Sequence, residues 1–160
     1  MVISLGTGLA VSGAAIALGV AGVSTSIGLR AAGISAAAAV AENKENFKNA
    51  LILQALPQTQ TIYAFIIALF IIMGAGLLGQ ARDVSTAQGL VMFGAGIVVA
   101  LTGISAIQQG MVSAAGVSAC AKAEHSFVPS LVFSGQCETP AIFGFIIALI
   151  ILVVGLAILG

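Results

Sequence analysis

The chain has 160 residues, 60% of them hydrophobic before its 20 glycines are counted, with 6% charged and a formal net charge of zero. A soluble domain carries about 25% charged residues and about 45–50% apolar ones with glycine included. So few charges cannot clothe a globule in water, and five Lys and Arg residues exclude an electrostatic nucleic-acid binder. The composition is that of a membrane protein.

Taken in order, the chain alternates apolar runs with charge clusters. Met1-Val2-Ile3-Ser4 lacks the basic start of a signal peptide, so the first apolar run is expected to belong to the mature protein. That run covers 2–41 and is broken only by Arg30. Glu42, Lys44, Glu45 and Lys48 follow, then an apolar run over 49–81, then Arg82 and Asp83. A third run covers 84–121 and ends at Lys122, Glu124 and His125. The last covers 126–160 and contains Glu138. Each run exceeds the roughly 20 residues that cross a bilayer core of about 30 Å. As helices even the shortest would reach ~50 Å, so the spans should project beyond the membrane. The predicted fold is an all-α membrane protein with four transmembrane helices, arranged as two hairpins over 1–80 and 81–160. With Arg30 assigned to the same end, the loops between spans 1–2 and 3–4 hold four of the five basic residues. The positive-inside rule places those loops in the cytoplasm and the termini outside. With no Trp and one Tyr there is almost no aromatic belt, so much of the surface is expected to meet protein.

The hairpins are copies of each other. Residues 31–36 (Ala-Ala-Gly-Ile-Ser-Ala) match 114–119 (Ala-Ala-Gly-Val-Ser-Ala). Residues 62–69 (Ile-Tyr-Ala-Phe-Ile-Ile-Ala-Leu) match 142–149 (Ile-Phe-Gly-Phe-Ile-Ile-Ala-Leu). An even number of spans precedes the second copy, so the duplication is parallel, unlike the inverted repeats of many transporters. Small residues recur every seven on the odd spans: Ser12, Gly19, Ser26 and Gly33 on the first, Gly89, Gly96, Gly103 and Gly110 on the third. Seven residues make about two helical turns, so each set lines one face. Such faces let helix backbones approach closely in lipid. Spans 2 and 4 carry the bulk, with Phe65, Ile66, Ile67 and Phe70 on one and Phe143, Phe145, Ile146 and Ile147 on the other. Small-faced helices inside bulky ones suit an inner ring wrapped by an outer ring.

Glu138 is the only acid inside a span. With entry near Val128 it lies about 15 Å deep, near the midplane. An ionised carboxylate there must be protonated, paired or bound to a cation. No basic residue lies at that depth in any span, which leaves an exchangeable proton or metal ion. The equivalent position in the first copy is Gln58, so one carboxylate serves four helices. Around it stand Gln54, Pro57, Thr59, Gln60, Thr61 and Tyr63. Pro57 cannot donate to the carbonyl of Leu53, and Pro140 cannot donate to that of Gln136; both bend their helices. Loosened carbonyls beside side-chain oxygens suit a hard cation. Gln108 and Gln109 add amide oxygen from the third span.

Other signals lead nowhere. Gly74-Ala75-Gly76-Leu77-Leu78-Gly79 fits GxGxxG but follows no strand, so the dinucleotide reading fails. His125 is a loop residue beside Lys122 and Glu124. Cys120 and Cys137 have no metal or disulfide spacing and read as packing residues. No Ser/His/Asp constellation exists, so the chain alone is expected to do no covalent catalysis.

These features resemble the proteolipid, or c/K subunit, of V-type ATPases over essentially the whole chain. The most specific stretches are Leu56-Pro57-Gln58-Thr59-Gln60-Thr61-Ile62-Tyr63, Gln109-Gly110-Met111-Val112-Ser113-Ala114-Ala115-Gly116 and Glu138-Thr139-Pro140-Ala141-Ile142-Phe143-Gly144-Phe145. The first two are most similar to the bacterial sodium-translocating members. The resemblance implies a sodium site made of the Leu56 carbonyl, the Thr59 hydroxyl, the amides of Gln60 and Gln109 and the carboxylate of Glu138, with Tyr63 hydrogen-bonded to that glutamate and Pro57 in support. It implies a ring of identical protomers in a bacterial plasma membrane, surrounded by lipid. The ring would be turned through central-stalk subunits by ATP hydrolysis, past a stator subunit with an essential arginine. No organic cofactor is expected. The alternatives are the same rotor carrying H+, a four-helix channel or transporter with Glu138 as its selectivity acid, and a structural membrane oligomer. Ligand count favours sodium, because a proton would leave Thr59, Gln60 and Gln109 as surplus desolvated polarity.

Overall fold

The protein is described by a computed structural model covering residues 4–79 and 83–159. Met1, Val2, Ile3, Arg82 and Gly160, and the junction of the two hairpins at 80–81, lie outside the described residues. Helix α1 spans Leu5–Glu42, α2 Phe47–Ala55, α3 Thr59–Gly74, α4 Thr86–Gly103, α5 Ser105–Lys122, α6 Phe127–Gln136 and α7 Thr139–Leu159. Short 3-10 turns at Lys44–Asn46, Leu56–Gln58 and Glu124–Ser126 join α1 to α2, α2 to α3 and α5 to α6. Among the described residues there is no strand. Four helical stretches are long and apolar enough to cross a membrane: Leu5–Glu42, Lys44–Gly74, Thr86–Lys122 and Phe127–Ile158. The longest has 38 residues, about 57 Å of helix, well beyond a bilayer core.

Three of the four stretches are interrupted. The second breaks at Leu56–Gln58, where Pro57 lacks the N–H a regular helix needs. The fourth breaks at Cys137 and Glu138, whose N–H groups reach back only three residues, to Ser134 and Gly135. Pro140 follows directly. The third breaks at Ile104 with no proline. There the Thr102 hydroxyl back-bonds to the Val98 carbonyl at 3.0 Å, an interaction that bends helices, and Gly103 adds no side chain to resist.

The chain forms two compact units. One comprises Met1–Ala21, Thr61–Gly103 and Ala141–Gly160. Its core is alanine-rich on α1 (Ala10, Ala14, Ala17, Ala21) and larger elsewhere, with Ile67, Ile71, Met92, Val99 and Leu152. Helices α1 and α4 nearly touch, because a Cβ on Gly89 would meet the Cα of Gly6 at 2.6 Å and one on Gly96 would meet the Gly13 backbone. Gly103 lies against Ala21 in the same row. Both helices are capped by serine. Ser4 Oγ accepts the Thr7 N–H, and Ser85 Oγ accepts the Gln88 N–H while the Gln88 amide oxygen accepts the Ser85 N–H. Gly76, at φ 72°, closes α3: its N–H reaches Met73 and that of Leu77 reaches Ile72, so the apparent nucleotide motif is a helix end.

The other unit comprises Gly22–Gln60 and Ile104–Pro140. Its core holds Ala36, Ala39, Ala50, Leu53, Val117 and Cys120. Asn43 and Asn46 make a firm turn at its end: the Asn43 side chain accepts the Glu45 N–H at 3.0 Å, and the Asn46 side chain donates to the Ala39 carbonyl at 2.9 Å. Here Gly110 is pressed onto the backbone of Gly28.

Within the chain, α1 packs by a face adjacent to the one its small-residue repeat marks. The glycines of α4 and α5 meet Gly6, Gly13, Ala21 and Gly28, not Ser12, Gly19, Ser26 and Gly33. Ser12, Gly19 and Ser26 are exposed. Both sets recur at about seven residues, so periodicity alone cannot choose between adjacent faces. On the bulky helices Phe65, Phe70, Phe143, Ile146 and Ile147 point outward, while Ile67 is fully buried and Phe145 packs on the core.

Candidate ion-binding site

The Leu56–Gln58 turn lies in the second unit, and several observations fix it. Pro57 is buried, and the Thr25 hydroxyl on α1 donates to its carbonyl at 3.0 Å. The turn ends where Thr59 begins α3. The Thr59 hydroxyl lies 3.1 Å from the Leu56 carbonyl and 3.2 Å from the Gln60 amide oxygen, so its one proton is shared between two acceptors. The Thr59 N–H also reaches back to the Leu56 carbonyl. Gln60 has no exposed surface, and its amide nitrogen donates to the Gln109 amide oxygen at 2.7 Å. Ser105 Oγ lies 3.5 Å from the same nitrogen.

Leu56, Thr59, Gln60 and Gln109, inferred to be site residues, therefore form one hydrogen-bonded chain. Gln109 is also fully buried, and its Nε2 is the one buried side-chain nitrogen or oxygen without a partner among the described residues. An unpaired buried amide costs about 1–3 kcal/mol. Two amides closed off from bulk solvent and one donor unmatched mark polarity held for something other than packing. The two glutamines of the third span part company, for Gln108 is exposed. Gln58 is exposed as well, so the first copy's counterpart of the glutamate faces away from this chain of bonds.

Glu138 belongs to the same unit and is half-buried in the two-residue turn between α6 and α7. Tyr63 belongs to the other unit, where its ring stacks on Phe145 with centroids 5.2 Å apart. No group of three or more His, Cys, Asp or Glu that could hold a metal occurs among the described residues. The oxygens on offer are thus neutral, with one carboxylate in the same unit, a set that suits a hard cation of low charge. Four residues of this neighbourhood carry no sequence signal of their own: Thr25, Ser105, Ser113 and Ser134. Ser113 and Ser134 stand one turn from Gln109 and Glu138, which is the one cue that could have found them.

The fold and site together define a multi-pass, all-helical membrane protein with a buried cluster of carbonyl, hydroxyl and amide groups. The family model for the ATP synthase C subunit matches it twice, over residues 12–71 and 93–151, and the chain belongs to that family. It is 40% identical over 141 residues to the A-type ATP synthase subunit K of Methanocaldococcus jannaschii, an alignment covering 88% of this chain and 60% of the relative. It is 39% identical over 131 residues to the V-type sodium ATPase subunit K of Enterococcus hirae, covering 81% of each.

Proposed function

We propose that this chain is the ring-forming rotor subunit of a rotary membrane ATPase and carries Na+ on Glu138. The observation that carries the reading is the fully buried Gln60–Gln109 amide pair, joined to Thr59 and the Leu56 carbonyl, in the unit that holds the only intramembrane acid. Family membership supports the rotor, and the relative named as a sodium ATPase subunit supports the ion. Glu138, Gln109, Gln60, Thr59 and the Leu56 carbonyl are the ligands of this proposal, with Tyr63 and Pro57 in support. The two matches of the family model support a duplicated hairpin over 1–80 and 81–160. Gly8, Gly19 and Gly22 on α1 and Gly94 on α4 have nothing within 4 Å of a Cβ position, which supports close approach by neighbouring copies.

In this mechanism Glu138 crosses the lipid-facing arc only while its charge is neutralised by the ion. A stator arginine favours the bare carboxylate and displaces the ion. Each charge moved against 100 mV costs about 2.3 kcal/mol. With Gln58 in place of a second acid, four helices carry one ion. Fewer ions per ATP permit pumping against a steeper gradient. The loops Asn43–Asn46 and Ala123–Ser126 would meet the central stalk on the cytoplasmic side. Glu138→Gln tests the reading in the assembled ATPase: ion-coupled ATP hydrolysis is lost while the ring still assembles. Retained coupling, or a change in passive conductance alone, would favour a channel instead.

A further inference from the structure

We infer that Ser113 and Ser134 form a clasp that sets the geometry of the ion site and so acts as a determinant of its sodium affinity; this rests on the reading of Glu138 as the ion-carrying group. The two hydroxyls are 2.7 Å apart and neither residue has any exposed surface. They join α5 to α6, which run antiparallel from the Ala123–Ser126 turn. One turn nearer that turn the seam is equally tight, since a Cβ on Gly116 would meet Ser130 Cβ at 2.7 Å. The register that pairs Gly116 with Ser130 and Ser113 with Ser134 has a definite next step. One turn back along α5 stands Gln109, and one turn forward along the α6 side of the seam stands Glu138.

The clasp matters because of where regular helix stops. Helix α6 ends at Gln136, and Cys137 and Glu138 lie in a turn. A continuous helix would carry the carboxylate at a fixed height and angle; here it does not reach Glu138. Ser134 is the last fully buried residue before the break, and its carbonyl accepts the Cys137 N–H at 3.1 Å. It therefore anchors the segment that delivers Glu138. On the opposite side Ser113 is held in place because Gly110, three residues earlier, sits on the Gly28 backbone. The serine bond thus ties the broken side of the seam to its continuous side, one turn from the ligands. Alanine would fill either position without a polar group to satisfy, so packing alone gives no reason for two buried hydroxyls. A positioning bond of ordinary strength, lost from the bound geometry, changes affinity by up to about tenfold.

The test is equilibrium binding of radiosodium to the purified protein in detergent, for the wild type, Ser113→Ala, Ser134→Ala and the double variant. Each single variant should raise the dissociation constant about tenfold. The double variant should add little more, because all three remove the same bond. Oligomer size, measured alongside, should hold, and the thermal midpoint should fall by no more than one lost buried hydrogen bond accounts for. Ser134→Cys, nearly the same shape with a weaker donor, should fall between wild type and alanine and serves if the alanine variants misassemble. Wild-type affinity in the double variant, with or without a loss of thermal stability, would reduce the clasp to packing and overturn the inference. A wild type that binds no sodium removes the Glu138 reading and this inference with it.

Discussion

The second and fourth helical stretches are both interrupted, and different chemistry stands at the two breaks. At the first break, Pro57 forces a 3-10 turn over Leu56–Gln58, and the residues it presents are neutral: a carbonyl, the Thr59 hydroxyl and the Gln60 amide. At the second, the helix breaks at Cys137 and Glu138 before Pro140, and the residue it presents is an acid. Repeat alignment sets Gln58 opposite Glu138, yet Gln58 points out of the structure and Gln60, two residues on, is fully buried. The two breaks stand 80 residues apart and present different groups. In the proposed site Leu56, Thr59 and Gln60 offer uncharged oxygens at the first break, Gln109 offers another from α5, and Glu138 brings the charge at the second break. A cation of charge +1 in apolar surroundings needs both: the carboxylate balances the charge, and the neutral oxygens replace its water.

That division can be broken by moving the acid. The double exchange Gln58→Glu with Glu138→Gln keeps one carboxylate per chain and places it on the exposed side of the first break. Sodium-coupled ATP hydrolysis should be abolished, because the new acid lies outside the Thr59–Gln60–Gln109 chain; recovery of coupling would show the breaks to be equivalent. Gln109→Leu removes a neutral ligand and leaves the acid. The sodium concentration that half-activates ATP hydrolysis should rise roughly 10- to 100-fold, the worth of a hydrogen-bond-strength contact to a charge. Proton binding needs no such amide, so activity should persist at low pH, measured as a pH profile without sodium. The smallest effect is expected at the frame of the first break. Thr25→Val removes the hydroxyl on the Pro57 carbonyl and should cost about 1 kcal/mol of stability by thermal unfolding, with a few-fold change in sodium affinity at most.

Much of this is legible in the sequence, because lipid permits few solutions. Four apolar runs between charge clusters become four helical stretches, and a proline marks the second span's break. The break at Ile104 has no such mark; it follows from a threonine back-bond whose effect depends on the neighbouring glycine and on packing. The packing face of α1 is not legible. A seven-residue repeat of small residues picks out Ser12, Gly19, Ser26 and Gly33, and a similar repeat runs along the adjacent face that the structure uses. The amide pair is half legible: Gln109 and Gln108 look alike in a helix, the resemblance alone singles out Gln109, and the structure separates them physically through the contact with Gln60. Ser113 and Ser134 are silent, since serine is ordinary in membrane helices and its meaning here comes from a partner on another helix.

In the proposed site Glu138 is a carboxylate neutralised by an exchangeable sodium ion. Carbodiimides attack protonated carboxyls in apolar sites, so the most direct measurement is labelling of the detergent-solubilised protein across pH, with and without sodium, read by mass spectrometry of the peptide containing Glu138. The account predicts labelling at Glu138 without sodium, protection by millimolar sodium, and a rising sodium requirement as pH falls, because proton and sodium compete for one group. Labelling that sodium fails to prevent at any pH would make the carrier a proton site and leave the glutamines without a role as ligands. No labelling of Glu138 in the intact protein would contradict the exchangeable site itself.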